Sequence, residues 1–400
     1  MIGERPLQGV RVCDFTRILS GPYYAQLLQE LGAEVLKVER ADRGDDTRSW
    51  QPALEGAPGE EPISTYFAAL NRGKQSIAID FRAPGALELT QRLAAACDIV
   101  VENFRPGVAA QMGIDYASLA PLNPQLVCCS ISGFGSEGPL AHLPGTEIVA
   151  EGMSGLMAVT GPADGEPVRF GVALIDITTG LTGAVKTLAA LLQARATGVG
   201  GQVEVSLYGT SLGVLGTLVA DWSRTGEEPQ RWGSHHPSLV PYGGFPTADG
   251  DLITGVLSDA MWGPLCEALE APELAAKEEW RTMRGRVRDR RRLEAAMAEA
   301  TRRNTTAYWL ARIEERGLLG APIRGVGQAA SDPDTQALGL LVGLEGHPGV
   351  VTTRLDSTPR PGGTQPVPRL GQHTRPVLQR VLGLGAVELD ALAAAGVIPG

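Results

Sequence analysis

The first 210 residues alternate between short runs of apolar, often β-branched residues and longer segments whose apolar positions recur every three or four residues. The short runs predict six strands, at 10–14, 35–38, 76–80, 99–102, 126–131 and 202–207. Tyr24, Leu27, Leu28 and Leu31 lie on one face of a helix between the first two strands, and Gly32 suits the end of that helix. Strands that alternate with helices predict an α/β fold, with a parallel sheet covered on both faces.

The second half of the chain predicts a smaller unit and a tail. A long helical stretch covers 179–195, and the strand-and-helix alternation breaks into a polar loop around 221–237. From residue 329 onward the chain is rich in Pro and Gly, which favours a segment that wraps over existing structure. We therefore predict a large domain at 1–220, with 329–400 returning to it, and a small α+β domain at 225–328.

Charge narrows the range of ligands. The formal net charge is −10, which argues against nucleic-acid binding because such binding neutralises phosphates with a basic face. Parallel sheets bind ligands at the carboxyl ends of their strands. Here those ends carry Arg40, Arg82 and Arg105, so a local site for a small anionic ligand is expected.

The cysteines and the N-terminal residues indicate the cellular compartment in which the protein is expected. None of the five cysteines forms a Cys-x-x-Cys pair, so no structural metal site is expected. The first residues lack the pattern of a signal peptide, and no run of 18 apolar residues predicts a membrane span. These features predict a cytoplasmic protein that does not enter a membrane.

Two segments could carry chemistry. Gly133, Gly135 and Gly138 match G-x-G-x-x-G after a strand, but Pro139 follows, which favours a loop that lets backbones approach closely over a dinucleotide turn. Asp176 ends an apolar, strand-like run at the start of a helix. The spacing suits either a helix N-cap or a carboxylate nucleophile. The chain has no Gly-x-Ser-x-Gly motif, which leaves few rival nucleophiles.

Many ordered segments resemble the class III CoA-transferases, the group that includes formyl-CoA transferase and the carnitine and bile-acid CoA-transferases. The resemblance is carried by 6–22, 31–40, 44–48, 71–74, 79–82, 101–107, 132–135 and the segment around Asp176. It implies a Rossmann-like large domain and a homodimer of two interlocked rings.

The resemblance also implies a reaction. Asp176 falls on the family's catalytic aspartate, which attacks a donor thioester to form a mixed anhydride and then an aspartyl-CoA thioester. An acceptor carboxylate next takes the CoA through a second anhydride. CoA enters as part of the substrate, and no metal or permanently bound cofactor is implied. The expected partners are an acyl-CoA and a free carboxylic acid.

Positions matching the family's CoA contacts lie at successive strand ends. They are Leu19, Ser20, Arg40, Ile79, Asp80, Phe81, Arg82, Asn103, Phe104 and Arg105. Arginines there suit phosphate groups, which a guanidinium binds through two parallel hydrogen bonds.

Two alternatives stay open at the level of sequence. The same fold hosts α-methylacyl-CoA racemases, which use a histidine where this chain has Thr146; Glu147 or His142 would have to replace it. The second alternative is a protein that binds CoA but catalyses no reaction. Donor and acceptor are not fixed, and succinate or another small dicarboxylate is the expected acid.

Overall fold

The computed structural model describes residues 5–56, 61–358 and 363–400. Their β-strands are β1 (Arg11–Asp14), β2 (Glu34–Arg40), β3 (Ala53–Leu54), β4 (Ile63–Ser64), β5 (Gln75–Ile79), β6 (Ile99–Glu102), β7 (Val127–Ser132), β8 (Gly201–Ser206), β9 (Tyr242–Pro246), β10 (Asp251–Gly255), β11 (Leu319–Pro322), β12 (Leu341–Leu344), β13 (His347–Thr353) and β14 (Thr364–Gln365).

The α-helices of the same residues are α1 (Ser20–Glu30), α2 (Thr65–Asn71), α3 (Ala86–Ala95), α4 (Val108–Gln111), α5 (Tyr116–Leu119), α6 (Glu147–Ser154), α7 (Leu156–Val159), α8 (Leu174–Thr197), α9 (Leu207–Val214), α10 (Gly216–Thr225), α11 (Trp262–Ala268), α12 (Pro272–Ala275), α13 (Met283–Arg288), α14 (Arg290–Thr301), α15 (Thr306–Glu314), α16 (Val326–Ser331), α17 (Pro333–Ala337), α18 (Thr374–Leu382) and α19 (Ala386–Ala394).

A six-stranded sheet with the order β5-β2-β1-β6-β7-β8 organises the larger part of the chain. Every neighbouring pair of its strands is parallel. The predicted parallel α/β sheet is therefore confirmed, and each predicted strand lies within two residues of its observed bounds.

Alternate residues of the strands enter two separate hydrophobic cores because successive side chains point to opposite faces of a sheet. On β1, Val12 packs with the apolar residues of α1 and α8, whereas Cys13 packs with those of α3. The C-terminal residues Val377 and Leu378 complete the second core. Both faces of the sheet are thus covered, as its near-continuous apolar strands require.

The chain forms two compact units. The first comprises Met1–Leu156, Phe170–Arg224 and Pro333–Gly400, and the second comprises Met157–Arg169 and Thr225–Asp332. In the second unit, the antiparallel strands β9, β10 and β11 pack with helices around the buried Trp262, Trp280 and Trp309. The segment Met157–Arg169 belongs to this unit, whereas the sequence pattern placed it in the large domain.

Helix α8 differs from its sequence prediction. It begins at Leu174, so the apolar run before Asp176 contains no strand and ends inside a helix. Among the described residues, α8 alone is long and apolar enough to cross a membrane, judged by length and composition only. One face of it packs against α1, β7 and β8, and the opposite face exposes Val185 and Leu192.

Candidate active site

A cavity of about 280 Å³ opens where the strand order of the sheet reverses, between β1 and β6. The loops that follow these two strands run in opposite directions, and ligands of open α/β sheets bind in the crevice between such loops. The lining residues are Arg17, Ile18, Leu19, Ser20, Asn103, Phe104, Arg105, Pro106, Ile131, Ser132, Gly133, Leu143, Pro144, Gly145, Thr146, Glu147, Asp176 and Leu207.

Asp176 presents its carboxylate to this cavity from the first turn of α8. It is the third residue of the helix and Ala173 is the N-cap, so the N-cap interpretation of Asp176 is wrong. The structure gives its side chain no hydrogen bond or ion pair with another described residue. Burial and the nearby Glu147 carboxylate raise the pKa of Asp176 to about 7.

Glu147 is the second carboxylate of the cavity. It is the first residue of α6, it is 8% exposed, and its Oε1 accepts a hydrogen bond from the backbone N–H of Ile175 at 3.3 Å. From the sequence, Glu147 is expected only as a substitute for the histidine of a racemase. An acidic residue that opens a helix is common, so the local pattern did not distinguish it.

A second cavity of about 140 Å³ adjoins the first, since Arg17 and Phe104 line both. Its other lining residues are Phe15, Thr16, Val38, Glu39, Arg40, Gly44, Asp45, Phe81 and Met112. Arg40 lies at its rim, where its guanidinium contacts the Asp42 carboxylate at 2.6 and 3.1 Å. The two adjoining cavities together are called the groove, with Arg40 and Phe81 in the second cavity and Asp176 in the first.

Most of the positions matched to CoA contacts line this groove. Leu19, Ser20, Asn103, Phe104 and Arg105 line the first cavity, and Arg40, Phe81 and Phe104 line the second. Arg105 has no side-chain partner among the described residues.

Three of the matched positions lie outside both cavities. Ile79 is fully buried in the hydrophobic core, so its expected contact with CoA does not involve its side chain. Asp80 and Arg82 pair with each other at 3.0 Å, and the Arg82 side chain is 77% exposed. Sequence reasoning missed Arg17, which lines both cavities.

The glycine-rich loop after β7 brings two backbone segments together. A Cβ atom built on Gly133 would lie 2.4 Å from the Cα of Gly145, so neither position tolerates a side chain. The next helix begins only at Glu147, which excludes a dinucleotide turn. The expectation of a close backbone approach is confirmed, and both glycines line the Asp176 cavity.

Comparisons with known proteins agree over nearly the whole chain. The model of CoA-transferase family III matches residues 7–374. Succinyl-CoA:glutarate CoA-transferase of Mus musculus is 38% identical, across 98% of this chain and 90% of that protein. Succinate–glutarate CoA-transferase of Agrobacterium fabrum is 38% identical, across 93% of this chain and 95% of that protein. The crystal structure of a CAIB/BAIF family protein from Brucella suis has a TM-score of 0.83 and 36% identity, across 94% of this chain and all of that one.

Proposed function

The chain belongs to CoA-transferase family III, and we propose that it moves CoA between two dicarboxylic acids, with Asp176 as the nucleophile. The main support for this proposal is the position of Asp176 at one end of the groove. Its carboxylate is partly buried, has no hydrogen-bonding partner among the described residues and faces open volume. A nucleophile needs all three properties, because a solvated or paired carboxylate reacts poorly.

The groove can accommodate both the adenine end and the thioester end of an acyl-CoA. The adenine occupies the apolar slot between Phe81 and Phe104, and Arg40 at the rim binds a phosphate. The pantetheine chain then passes Arg17 and Phe104, which line both cavities, and brings the thioester to Asp176. Arg82, which pairs with Asp80 outside the groove, contributes less than Arg40.

Each step of the transfer conserves charge and needs no outside reactant. The Asp176 carboxylate attacks the thioester carbonyl, the C–S bond breaks, and a mixed anhydride and CoA thiolate form. The thiolate attacks the Asp176 acyl carbon, which releases the donor acid as a carboxylate and leaves an aspartyl-CoA thioester. The acceptor carboxylate attacks this thioester and expels the thiolate. The thiolate then attacks the acceptor's acyl carbon, which gives the new acyl-CoA and restores the Asp176 carboxylate.

Glu147 favours the covalent forms of Asp176. Two carboxylates in one desolvated cavity repel each other, which is part of the reason for the raised pKa of Asp176. Acylation of Asp176 removes one of the two charges and relieves that repulsion. The free carboxylate is thereby destabilised relative to the anhydride and the thioester.

The acids are proposed to be dicarboxylates. The relatives from Mus musculus and Agrobacterium fabrum carry succinyl, succinate and glutarate in their names. Arg17 and Arg105 line the cavity that holds Asp176. One carboxyl group of the acid reacts at Asp176, and a guanidinium at the cavity wall pairs with the other.

One observation favours a racemase as a second candidate, namely that Glu147 shares a cavity with Asp176. Racemisation needs an acid and a base on opposite faces of the α-carbon. His142, which would be the second group, is exposed and does not line the cavity. The transferase is therefore the better-supported activity.

A homodimer of interlocked rings is proposed as the functional form. Helices α8, α9 and α10 expose large apolar side chains in the single chain, namely Val185, Leu192, Leu212, Val214, Val219 and Trp222. Several large apolar side chains exposed on consecutive helices favour a protein contact there. Leu192→Asp on α8 should dissociate the dimer in sedimentation experiments, whereas Leu122→Asp, at an exposed apolar position in a loop, should not.

We further propose that the protein acts in a reducing compartment, the cytoplasm, without a metal or redox cofactor. All five cysteines are free and buried. The described residues contain no group of three or more His, Cys, Asp or Glu side chains that could hold a metal ion. The anhydride sequence itself needs no such group.

A donor–acceptor matrix tests the function. Succinyl-, glutaryl-, acetyl- and 2-methylacyl-CoA are each incubated with succinate, glutarate, oxalate and acetate, and the acyl-CoA products are identified by mass spectrometry. Transfer between dicarboxylates is the expected result, and its absence from every dicarboxylate pair would refute the proposal. The same assay in deuterium oxide reveals a racemase through deuterium at the α-carbon of the 2-methylacyl group.

A further inference from the structure

The loop at residues 15–19, between β1 and α1, forms one wall of the Asp176 cavity, and charged side chains hold its backbone. The Asp14 carboxylate accepts hydrogen bonds from the backbone N–H of Thr16 at 2.9 Å and from its hydroxyl at 2.5 Å. The Lys37 ammonium donates to the carbonyl of Thr16 at 2.9 Å. Both polar groups of this one peptide segment are therefore fixed by ionised side chains.

The next two residues of the loop are held in the same way. Asn103 accepts from the N–H of Arg17 at 2.9 Å and donates to its carbonyl at 2.8 Å. The Asp45 carboxylate accepts from the N–H of Ile18 at 3.4 Å. Ile18 has a φ of +72°, a conformation that a β-branched residue adopts only when its surroundings impose it.

The anchoring charges form two buried ion pairs. The Lys74 ammonium lies 3.0 Å from the Asp14 carboxylate, and the Lys37 ammonium lies 3.1 Å from the Asp45 carboxylate. All four side chains are fully buried. Burial alone would raise the pKa of Asp14, but the ammonium groups of Lys74 and Lys37 more than offset this and lower it, which favours the carboxylate form. Burial lowers the pKa of Lys74 to about 8.

Buried ion pairs give little stability, since desolvation consumes most of their attraction and apolar replacements are often as stable. A conformational role explains why these four charges lie under the cavity. We propose that the Asp14–Lys74 and Lys37–Asp45 pairs are positioning residues that hold the 15–19 loop, and with it the thioester, in register with Asp176. Asp14, Lys37 and Lys74 line neither cavity, so they act through the loop. This inference rests on the proposed role of Asp176.

The test distinguishes a displaced 15–19 loop from a loss of folding stability. In Asp14→Val with Lys74→Met, both charges disappear together, so the melting temperature should stay within about 4 °C of the wild type. The rate at which saturating donor acyl-CoA labels Asp176 should fall roughly tenfold to a hundredfold, since small displacements of a reacting group cost that much. If this variant does not fold, Lys37→Met with Asp45→Asn replaces it. This pair of changes nearly keeps the volumes, removes the ammonium from the Thr16 carbonyl and leaves an amide oxygen at position 45 to accept from the N–H of Ile18.

The matched control is the buried ion pair at the C-terminal end of α1. Glu30 pairs with Arg72, both side chains are almost fully buried, and neither lines a described cavity. Glu30→Leu with Arg72→Met should leave the labelling rate of the folded protein unchanged. Wild-type labelling in the Asp14 and Lys37 variants, or an equal loss in the control, would overturn the positioning role. Absence of labelling in the wild type would instead refute the proposed function, and the positioning role with it.

Discussion

Glu147 and Asp176 face one cavity, and the backbone N–H that Glu147 accepts, at 3.3 Å, belongs to Ile175, the residue directly before Asp176. The hydrogen bond fixes the Glu147 carboxylate beside the start of α8. The two negative charges therefore stay close, and their repulsion adds to the effect of burial in raising the pKa of Asp176 to about 7.

The first prediction concerns the pH profile. Only the ionised Asp176 attacks, so kcat/KM for the donor acyl-CoA should rise from pH 6 to pH 8, with a midpoint of about 7. Glu147→Gln removes the repulsion and should move the midpoint to lower pH. Glu137→Gln, at an exposed position of the loop after β7, is the control and should not move it. A profile that is flat from pH 5.5 to 8.5 would contradict the role of Asp176.

The second prediction concerns the covalent intermediate. Asp176→Ala should lower transfer roughly a thousandfold or more, as the loss of a nucleophile does. In the wild type, donor acyl-CoA should leave an acyl or thioester group on Asp176 that hydroxylamine or borohydride traps for peptide mass spectrometry. A label on Glu147 in place of Asp176 would exchange the roles of the two carboxylates.

The third prediction concerns stability. The folded-state pKa of Asp176, about 7, lies above the unfolded value of about 3.9, so the folded state holds the proton more tightly between these values. The free energy of unfolding therefore falls as pH rises through this window. Asp176→Asn has no proton to lose, so it should raise the melting temperature more at pH 8 than at pH 5. The exposed Asp164→Asn serves as the control, and an equal gain at both pH values would contradict the raised pKa.

The strands of the central sheet and the importance of Asp176 could be predicted from the sequence. Val12 and Cys13 enter two different apolar cores, so the strands of the sheet are short continuous apolar runs, and those runs predicted them from the sequence. Asp176 was singled out as well, but the segment before it was misassigned. Apolar residues fill both a buried strand and a buried helix start, and only the packing of α8 against α1 decides between them.

The proximity of Glu147 to Asp176 could not be predicted from the sequence, for a different reason. Glu147 and Ile175 are 28 positions apart, and only the tertiary fold brings α6 and α8 together. The same holds for Ile79. The family resemblance implied a contact of Ile79 with CoA, whereas β5 turns the Ile79 side chain into the core.

The fourth prediction separates two arginines that the sequence treated alike. Arg40 lines the apolar cavity, whereas Arg82 lies outside it and pairs with Asp80. Arg40→Ala should raise KM for acyl-CoA about tenfold with little change in kcat, since a charged hydrogen bond to phosphate is lost. Arg82→Ala should change KM by less than a factor of about three, as exposed pairs contribute little. Equal effects would place the phosphates between the two side chains.

The last prediction concerns the acid. Arg105 lines the Asp176 cavity and has no side-chain partner among the described residues, so its guanidinium is available to a substrate anion. A dicarboxylate that reacts at Asp176 has a second carboxylate a few ångströms away, and the pairing of that group with Arg105 distinguishes it from a monocarboxylate of the same length. Arg105→Ala should therefore raise KM for glutarate about tenfold and leave KM for valerate almost unchanged. Arg105→Lys, which keeps the charge but not the forked geometry, should fall between the two. If Arg105 instead binds CoA, KM for every acyl-CoA donor will rise and the preference for glutarate over valerate will persist.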